Sequence, residues 1–338
     1  MSSSFAAWLL EPKSHPLQVK EAPVWTPSTN EILVKNRAVA INPVDGSLQA
    51  KAWYPLNYPA VLGQDVAGEV IEIGPDVTRF KPGDRVVGHA LGMASKRAED
   101  GGFQAYTLLQ TNMVSHIPDD VTYESAAVLP LALSTASCGL FQHDFLSLQY
   151  PTDPRAKPTG KTLLVWGGAS SVGSNAIQLA VSAGYEVYTT ASPKNFEYVK
   201  NLGAAQVFDY NSPTVTDDLV NALKGKTLAG ALDCIGFAAS PLTVEVVLRS
   251  EGVKIISTTK GGFKAPEGVT LKIIFGTSLK DNDVGKAIYE TFLPKALKAK
   301  SFVPAPEPLV VGVGLESIQG AVDLLAKGVS ARKVVVLL

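Results

Sequence analysis

The sequence has little of what would hold a metal, a disulfide or a polyanion. Two cysteines, Cys138 and Cys234, are all that 338 residues contain, and each sits in an apolar stretch. That excludes a disulfide framework and points to a reducing compartment. The net charge at pH 7 is -1, so bulk charge offers no grip on nucleic acid or on an anionic membrane. Residues 1–10 carry no basic run, and no signal peptide is expected. No apolar run approaches the roughly 20 residues of a membrane span. Internal repeats and low-complexity segments are also missing. A cytoplasmic protein without nucleic-acid or membrane partners is the expectation.

What is present is a large core. Hydrophobic residues make up 46% and charged residues 18% of the chain, and the length suits two domains. Residues 1–130 read as β-rich. Short runs such as 31–41 and 67–73 alternate apolar with polar side chains and are broken by Asn42-Pro43, Gly74-Pro75 and Pro82-Gly83. Such patterning suggests a small barrel or coiled sheet. Residues 126–141 are Ala/Leu-rich and read as one helix, followed by a proline-rich loop over 150–158.

From residue 161 the chain alternates strand and helix. Strands are expected at 163–166, 186–190, 206–208, 229–234 and 253–257, with helices at 175–183, 194–202, 216–224 and 241–248 between them. This is a parallel doubly wound sheet. Residues 273–275 read as a further strand and 284–298 as a helix. A helix over 316–327 and a strand over 333–338 look like neither a new domain nor a tail, so the C-terminus is expected to return to the N-terminal domain. The expected domains are 1–130, 131–300 and the returning 301–338.

The apolar strand ending at Trp166 runs straight into Gly167-Gly168-Ala-Ser170-Ser171-Val172-Gly173. Strand, glycine turn and helix present backbone N–H groups and a helix N-terminus to a phosphate. Gly168, Ser170 and Gly173 fall on the glycine positions of the dinucleotide fingerprint G-x-G-x-x-G, with Ser170 replacing the middle one. Pyrophosphate is expected on the amides of Ser171 and Val172, with a serine hydroxyl assisting. An NAD-preferring site places an acid about 20 residues further on. Here that stretch reads Thr189-Thr-Ala-Ser192-Pro-Lys194, without one. Ser192 and Lys194 suit a 2′-phosphate and Tyr210 can close over it, so NADPH is the expected cofactor.

Several stretches, in order, resemble the medium-chain dehydrogenase/reductase superfamily over nearly the whole chain. They are Asn42-Pro43-Val-Asp45, Gly63-Gln64-Asp65, Phe80-Lys-Pro-Gly83-Asp84, Gly101-Gly-Phe103, the 167–173 turn and Asp233-Cys-Ile-Gly236. The resemblance implies a GroES-like β-rich catalytic domain plus a Rossmann doubly wound sheet, an α/β protein with the cofactor in the cleft between them. Within the superfamily the chain is similar to zinc-free quinone oxidoreductases and to trans-acting enoyl reductases, including fungal proteins labelled zinc-binding oxidoreductases.

Zinc-dependent members carry a Cys near Asn42 and a His where Gln64 stands. Neither is present, nor is the cysteine cluster of the structural zinc lobe, and no zinc is expected. His89 reads as a surface or cleft histidine. Without a Lewis acid, hydride addition to an activated C=C is the easiest chemistry, because the charge spreads into an enolate that hydrogen bonds can hold.

By resemblance, Tyr54 donates a proton or a hydrogen bond, Asn42 and Asp45 orient nicotinamide and substrate and hold their loop, and Thr135 contacts the nicotinamide amide; a purely structural turn at Asn42-Pro43 stays open beside this. Gln64 hydrogen-bonds in the emptied metal site. Cys234, Ile235, Gly236 and Ser257 lie along the cofactor, Cys234 as a small filler. The expected function is NADPH-dependent reduction of an enone or enoyl thioester. A quinone or carbonyl reductase and a non-catalytic NADPH-binding protein remain alternatives. The substrate is a small molecule, for which the resemblance includes a polyketide on its carrier, and both monomer and homodimer stay open.

Overall fold

A computed structural model describes residues 4–338. The chain forms two compact units, Met1–Leu131 with Val303–Leu338, and Ala132–Phe302.

The second unit is built on six parallel strands. Their spatial order is Gln206–Asp209, Glu186–Ala191, Lys161–Trp166, Thr227–Asp233, Ile255–Thr258 and Thr270–Ile273. The first strand in sequence therefore lies inside the sheet, and the order reverses beside it. Ligands bind such sheets outside the carboxyl ends at that switch point. Thr162, Leu163, Leu164 and Val165 are all buried, as a strand covered on both faces requires. The helix Ser171–Ser182 packs on the sheet through Ala176, Ile177, Leu179 and Ala180. It begins four residues before the expected 175, because Ser170 caps it.

Two expected helices are interrupted by proline. Residues 126–141 divide into Tyr123–Ala126 and Pro130–Phe141; Pro130 opens the second segment, where its missing N–H costs nothing. Taken together, Tyr123–Phe141 is long and apolar enough to cross a membrane, against the expectation, although 78% of it is buried within the protein. Residues 283–299 form Asp283–Gly285, a π-helical stretch Lys286–Phe292 and Leu293–Ala299. Pro294 lacks a donor and crowds the carbonyl four residues back, so the backbone widens just before it. The sixth strand spans Thr270–Ile273, ahead of the expected 273–275.

The first unit carries a sheet ordered Glu307–Val313, Arg332–Leu337, Glu31–Ala40, Asp65–Ile73, Arg85–His89 and Val114–His116, with Tyr106–Gln110 also paired to Glu31–Ala40. A smaller sheet is ordered Gln18–Ala22, Ser4–Leu9 and Ala60–Val61. Arg332–Leu337 runs antiparallel to Glu31–Ala40, with Val335 opposite Ala40. The C-terminal strand thus completes a sheet begun by the N-terminal third of the chain. The core behind it includes Ile32, Val34, Val39, Ile41, Val66, Phe103, Val334 and Val336.

Candidate active site

In the second unit the glycine turn leaves the carboxyl end of Lys161–Trp166. Gly167 sits at φ +86°, open to glycine at little cost. Its amide donates to Thr190 Oγ1 at 2.9 Å, and the Gly168 amide donates to the Thr190 carbonyl at 2.9 Å. Gly173 is required for another reason. A Cβ there would stand 2.3 Å from the Gly167 carbonyl oxygen and 2.7 Å from Gly168 Cα. The helix start is thereby pressed against the turn, as a dinucleotide cradle demands.

Ser170 is spent inside this turn. Its Oγ accepts from the Gly173 amide at 3.0 Å and donates to the Gly167 carbonyl at 2.8 Å. The Ser170 hydroxyl is thus engaged within the turn and shapes it, which leaves Ser171 as the turn's other serine for the expected assisting hydroxyl. The amides of Ser171 and Val172 begin the helix and have no carbonyl one turn back to bond.

Neighbouring strand ends complete this edge. Ser192 and Lys194 follow Glu186–Ala191; Ser192 is half-buried and accepts from Asn195 Nδ2 at 3.2 Å, while Lys194 is exposed. Tyr210, after the next strand, is 46% exposed. Asp233 Oδ1 accepts from the amides of Ile235 and Gly236 at 3.0 and 2.8 Å, and Oδ2 accepts from Ser240 Oγ at 2.8 Å. This buried carboxylate folds the 234–236 turn, whose Ile235 packs where a Gly167 Cβ would be. Burial, then the Asp233 charge, push the Cys234 thiol well above its usual range, so Cys234 is no nucleophile.

Ser257 requires a correction. It is fully buried and its hydroxyl donates to the Gly139 carbonyl at 2.9 Å, so it is not offered to a cofactor. Two residues on, Thr259 Oγ1 is buried without a hydrogen-bond partner and is the better-placed hydroxyl of that strand end. Thr135 is half-buried on the helix Pro130–Phe141, beside Gly276.

The first unit gathers Asn42, Asp45, Gln64, Asp65, His89 and Lys333. Lys333 Nζ stands 2.8 Å from Asp65 Oδ2 and donates to Asn42 Oδ1 at 2.5 Å. Asn42 Nδ2 donates to the same Asp65 oxygen at 2.8 Å, and the Leu131 amide donates to Asp65 Oδ1 at 2.6 Å. Lys333 is 3% and Asp65 0% exposed, so this is an internal ion pair with its hydrogen bonds satisfied. Asn42 has both polar ends engaged and is 4% exposed. It therefore holds the pair in place, which corrects its expected role of orienting nicotinamide.

Asp45 caps the helix Pro43–Lys51, its Oδ2 accepting from the Asn42 amide at 2.8 Å. Burial, opposed by that amide and reinforced by Asp65, raises its pKa to about 7. This contact ties Asp45 to the start of its own helix and holds the 42–45 loop. His89 lies opposite Asp65 across the strand pair and is fully buried, not on the surface or in a cleft. Burial lowers its pKa to about 4, so the ring is neutral and Nε2 can donate to Gln64 Oε1, 3.4 Å away. Tyr54 is half-buried against the apolar core and meets Trp53 edge-on at 5.7 Å.

This donor set does not fit a zinc ion. Asp65 already carries an ammonium partner, the Gln64 oxygen faces His89, and a second cation beside Lys333 would be repelled. No group of three His, Cys, Asp or Glu side chains among the described residues could hold a metal. Lys333 was not singled out from the sequence. A lone lysine opening the run Lys333-Val-Val-Val is the signal that could have found it.

Comparison with known proteins agrees with both units. The alcohol dehydrogenase GroES-like domain family matches residues 28–119, and the zinc-binding dehydrogenase family matches residues 171–273. The chain is 67% identical to the zinc-binding alcohol dehydrogenase domain-containing protein cipB of Emericella nidulans, over 98% of this chain and 97% of that protein. It is 40% identical to the trans-enoyl reductase himH of Aspergillus japonicus, over 98% and 96%. The crystal structure of CurK enoyl reductase shares the fold, with a TM-score of 0.77 at 19% identity and 99% coverage of each chain.

Proposed function

Because the chain belongs to the medium-chain dehydrogenase/reductase superfamily and is an oxidoreductase with a nicotinamide-binding Rossmann fold, we propose that it reduces an activated C=C bond with NADPH and without a metal. The acceptor is an enone or an enoyl thioester, and a polyketide on its carrier belongs to that class. The observation that carries this reading is the Lys333–Asp65 pair beside Gln64. It puts a fixed ammonium and neutral hydrogen-bonding groups where zinc-dependent members would, by resemblance, have a Lewis acid. The name of the 40% identical trans-enoyl reductase supports the acceptor class.

The bound cofactor supplies the hydride. The residues of the chain have three tasks. The turn of Gly167, Gly168 and Gly173, with the Ser171 and Val172 amides, binds the pyrophosphate. Ser192, Lys194 and Tyr210 take the 2′-phosphate. Tyr54 gives the α-carbon its proton once the enolate has formed.

The experiment is a comparison of acceptors. Purified protein and NADPH are mixed with enones, enoyl thioesters, quinones and aldehydes, and nicotinamide absorbance is followed. Enones or enoyl thioesters are expected to be consumed fastest; turnover of quinones alone would reassign the reaction. The cofactor preference has its own check. Lys194→Ala should raise KM for NADPH by roughly tenfold, the loss of one charge-assisted contact, and leave KM for NADH nearly unchanged. Equal shifts for the two cofactors would remove Lys194 from the phosphate site.

A further inference from the structure

Asp45 Oδ1 and Gln64 Nε2 are among the side-chain atoms of the first unit buried without a hydrogen bond. Their residues are 0% and 2% exposed. The Gly63 amide approaches the Asp45 carboxyl as a weak backbone donor that favours the carboxylate, without reaching full hydrogen-bond geometry at Oδ1. Both residues line one small cavity, whose other walls include Leu48, Leu56, Leu62 and Met93. It leaves about 10 Å³ for the centre of a water-sized group, which is room for one oxygen atom. A buried polar atom left unpaired costs about 1–3 kcal/mol, and two of them bordering one cavity mark a place for a ligand atom.

The hydrogens at these atoms can be assigned. In the Nε2–H tautomer of neutral His89, Gln64 Oε1 is the acceptor, and the Gln64 NH₂ then faces away from the ring. Asp45 Oδ2 already accepts from the Asn42 amide, so a proton on this carboxyl sits on Oδ1. Both groups then donate, and what they suit is an acceptor oxygen.

We infer that Gln64 Nε2–H and Asp45 Oδ1–H together bind the carbonyl oxygen of the substrate and hold the negative charge that develops there as the enolate forms. This deepens the C=C reductase reading and rests on it. It makes Asp45 a catalytic residue, acting as a neutral acid, and it restricts acceptors to alkenes conjugated to a carbonyl. Donors already in place where charge appears cost no reorganisation during the reaction. A carboxylic acid kept neutral by burial can fill that role. Burial is the leading cause of the raised pKa, which lies at about 7. The charges facing it are Asp65 and Lys333, which are paired with each other. Lys96 and Arg97 line the same cavity, and Arg97 is tied to Glu31, Glu99 and Asp100.

The test uses the full chain with NADPH and 2-cyclohexenone. In the wild type, kcat/KM should be level in acid and fall about tenfold per pH unit above about 7, as Asp45 loses its proton. Asp45→Asn keeps an acceptor for the Asn42 amide and a donor for the cavity. It should lower the acid-limb rate a few-fold and abolish the alkaline fall. Gln64→Met should lower kcat/KM by about a hundredfold. An alkaline fall unchanged in Asp45→Asn, or a wild-type rate in Gln64→Met, would overturn the assignment. A second readout separates this subsite from the reaction itself: the infrared carbonyl stretch of cyclohexanone bound to the NADP⁺-loaded protein. A shift to lower wavenumber that is lost in Gln64→Met supports the subsite even if no enone is turned over. An unshifted stretch in the wild type overturns it.

Discussion

Lys333→Met should destabilise the protein by about 3–5 kcal/mol, the usual result of removing one partner from a buried ion pair. Methionine preserves most of the apolar stem, so little packing is lost. What is lost is the ammonium 2.8 Å from Asp65 and its bond to Asn42. The carboxylate would then be held by two amide donors alone, from Asn42 and Leu131, at a position of 0% exposure. Thermal unfolding followed by circular dichroism should show a Tm lowered on the order of 10 °C. The double variant Lys333→Met with Asp65→Leu removes both charges and should recover most of that loss. A Tm for Lys333→Met within a degree or so of wild type would mean that the pair is not held together in solution.

Gly173→Ala should weaken NADPH binding at least about tenfold, the cost of shifting a turn that must present its amides to a phosphate. The clash is with backbone: the added carbon would meet the Gly167 oxygen at 2.3 Å and Gly168 Cα at 2.7 Å. No side-chain rotation relieves it, so the turn must move. Ser170→Ala is the matched control. It removes the helix cap, which costs about 1 kcal/mol of stability, and keeps the glycine geometry. Fluorescence titration with NADPH distinguishes the two. An unaltered Kd in Gly173→Ala would place the diphosphate away from this turn.

The second unit was the more legible part of the chain. Its strands are short apolar runs closed by Gly, Asp or Ser, and its helices carry one buried stripe, so period and punctuation agree. Ends moved where a local device acted: Ser170 drew its helix four residues earlier, and Pro130 and Pro294 divided helices that composition joins.

The backbone geometry was legible at Gly173 and Gly167 because glycine there answers a backbone constraint. The chemistry was not legible at Ser257, whose neighbour Gly139 is distant in sequence and consumes its hydroxyl. His89 reads as a surface or cleft residue in the sequence because a lone histidine says nothing of its burial. Lys333 escaped notice because its partners, Asn42 and Asp65, lie at the other end of the chain. The motif marks Asn42, but both ends of its amide are occupied by Asp65 and Lys333, which are distant in sequence.

The central claim is metal-free reduction of a carbonyl-activated C=C bond by NADPH. The most direct measurement is the rate of NADPH oxidation by 2-cyclohexenone before and after exhaustive chelation, with metal content read by elemental analysis on the same sample. The account predicts sub-stoichiometric zinc and an unchanged rate. Stoichiometric zinc, with activity lost on chelation and restored by zinc, would contradict it.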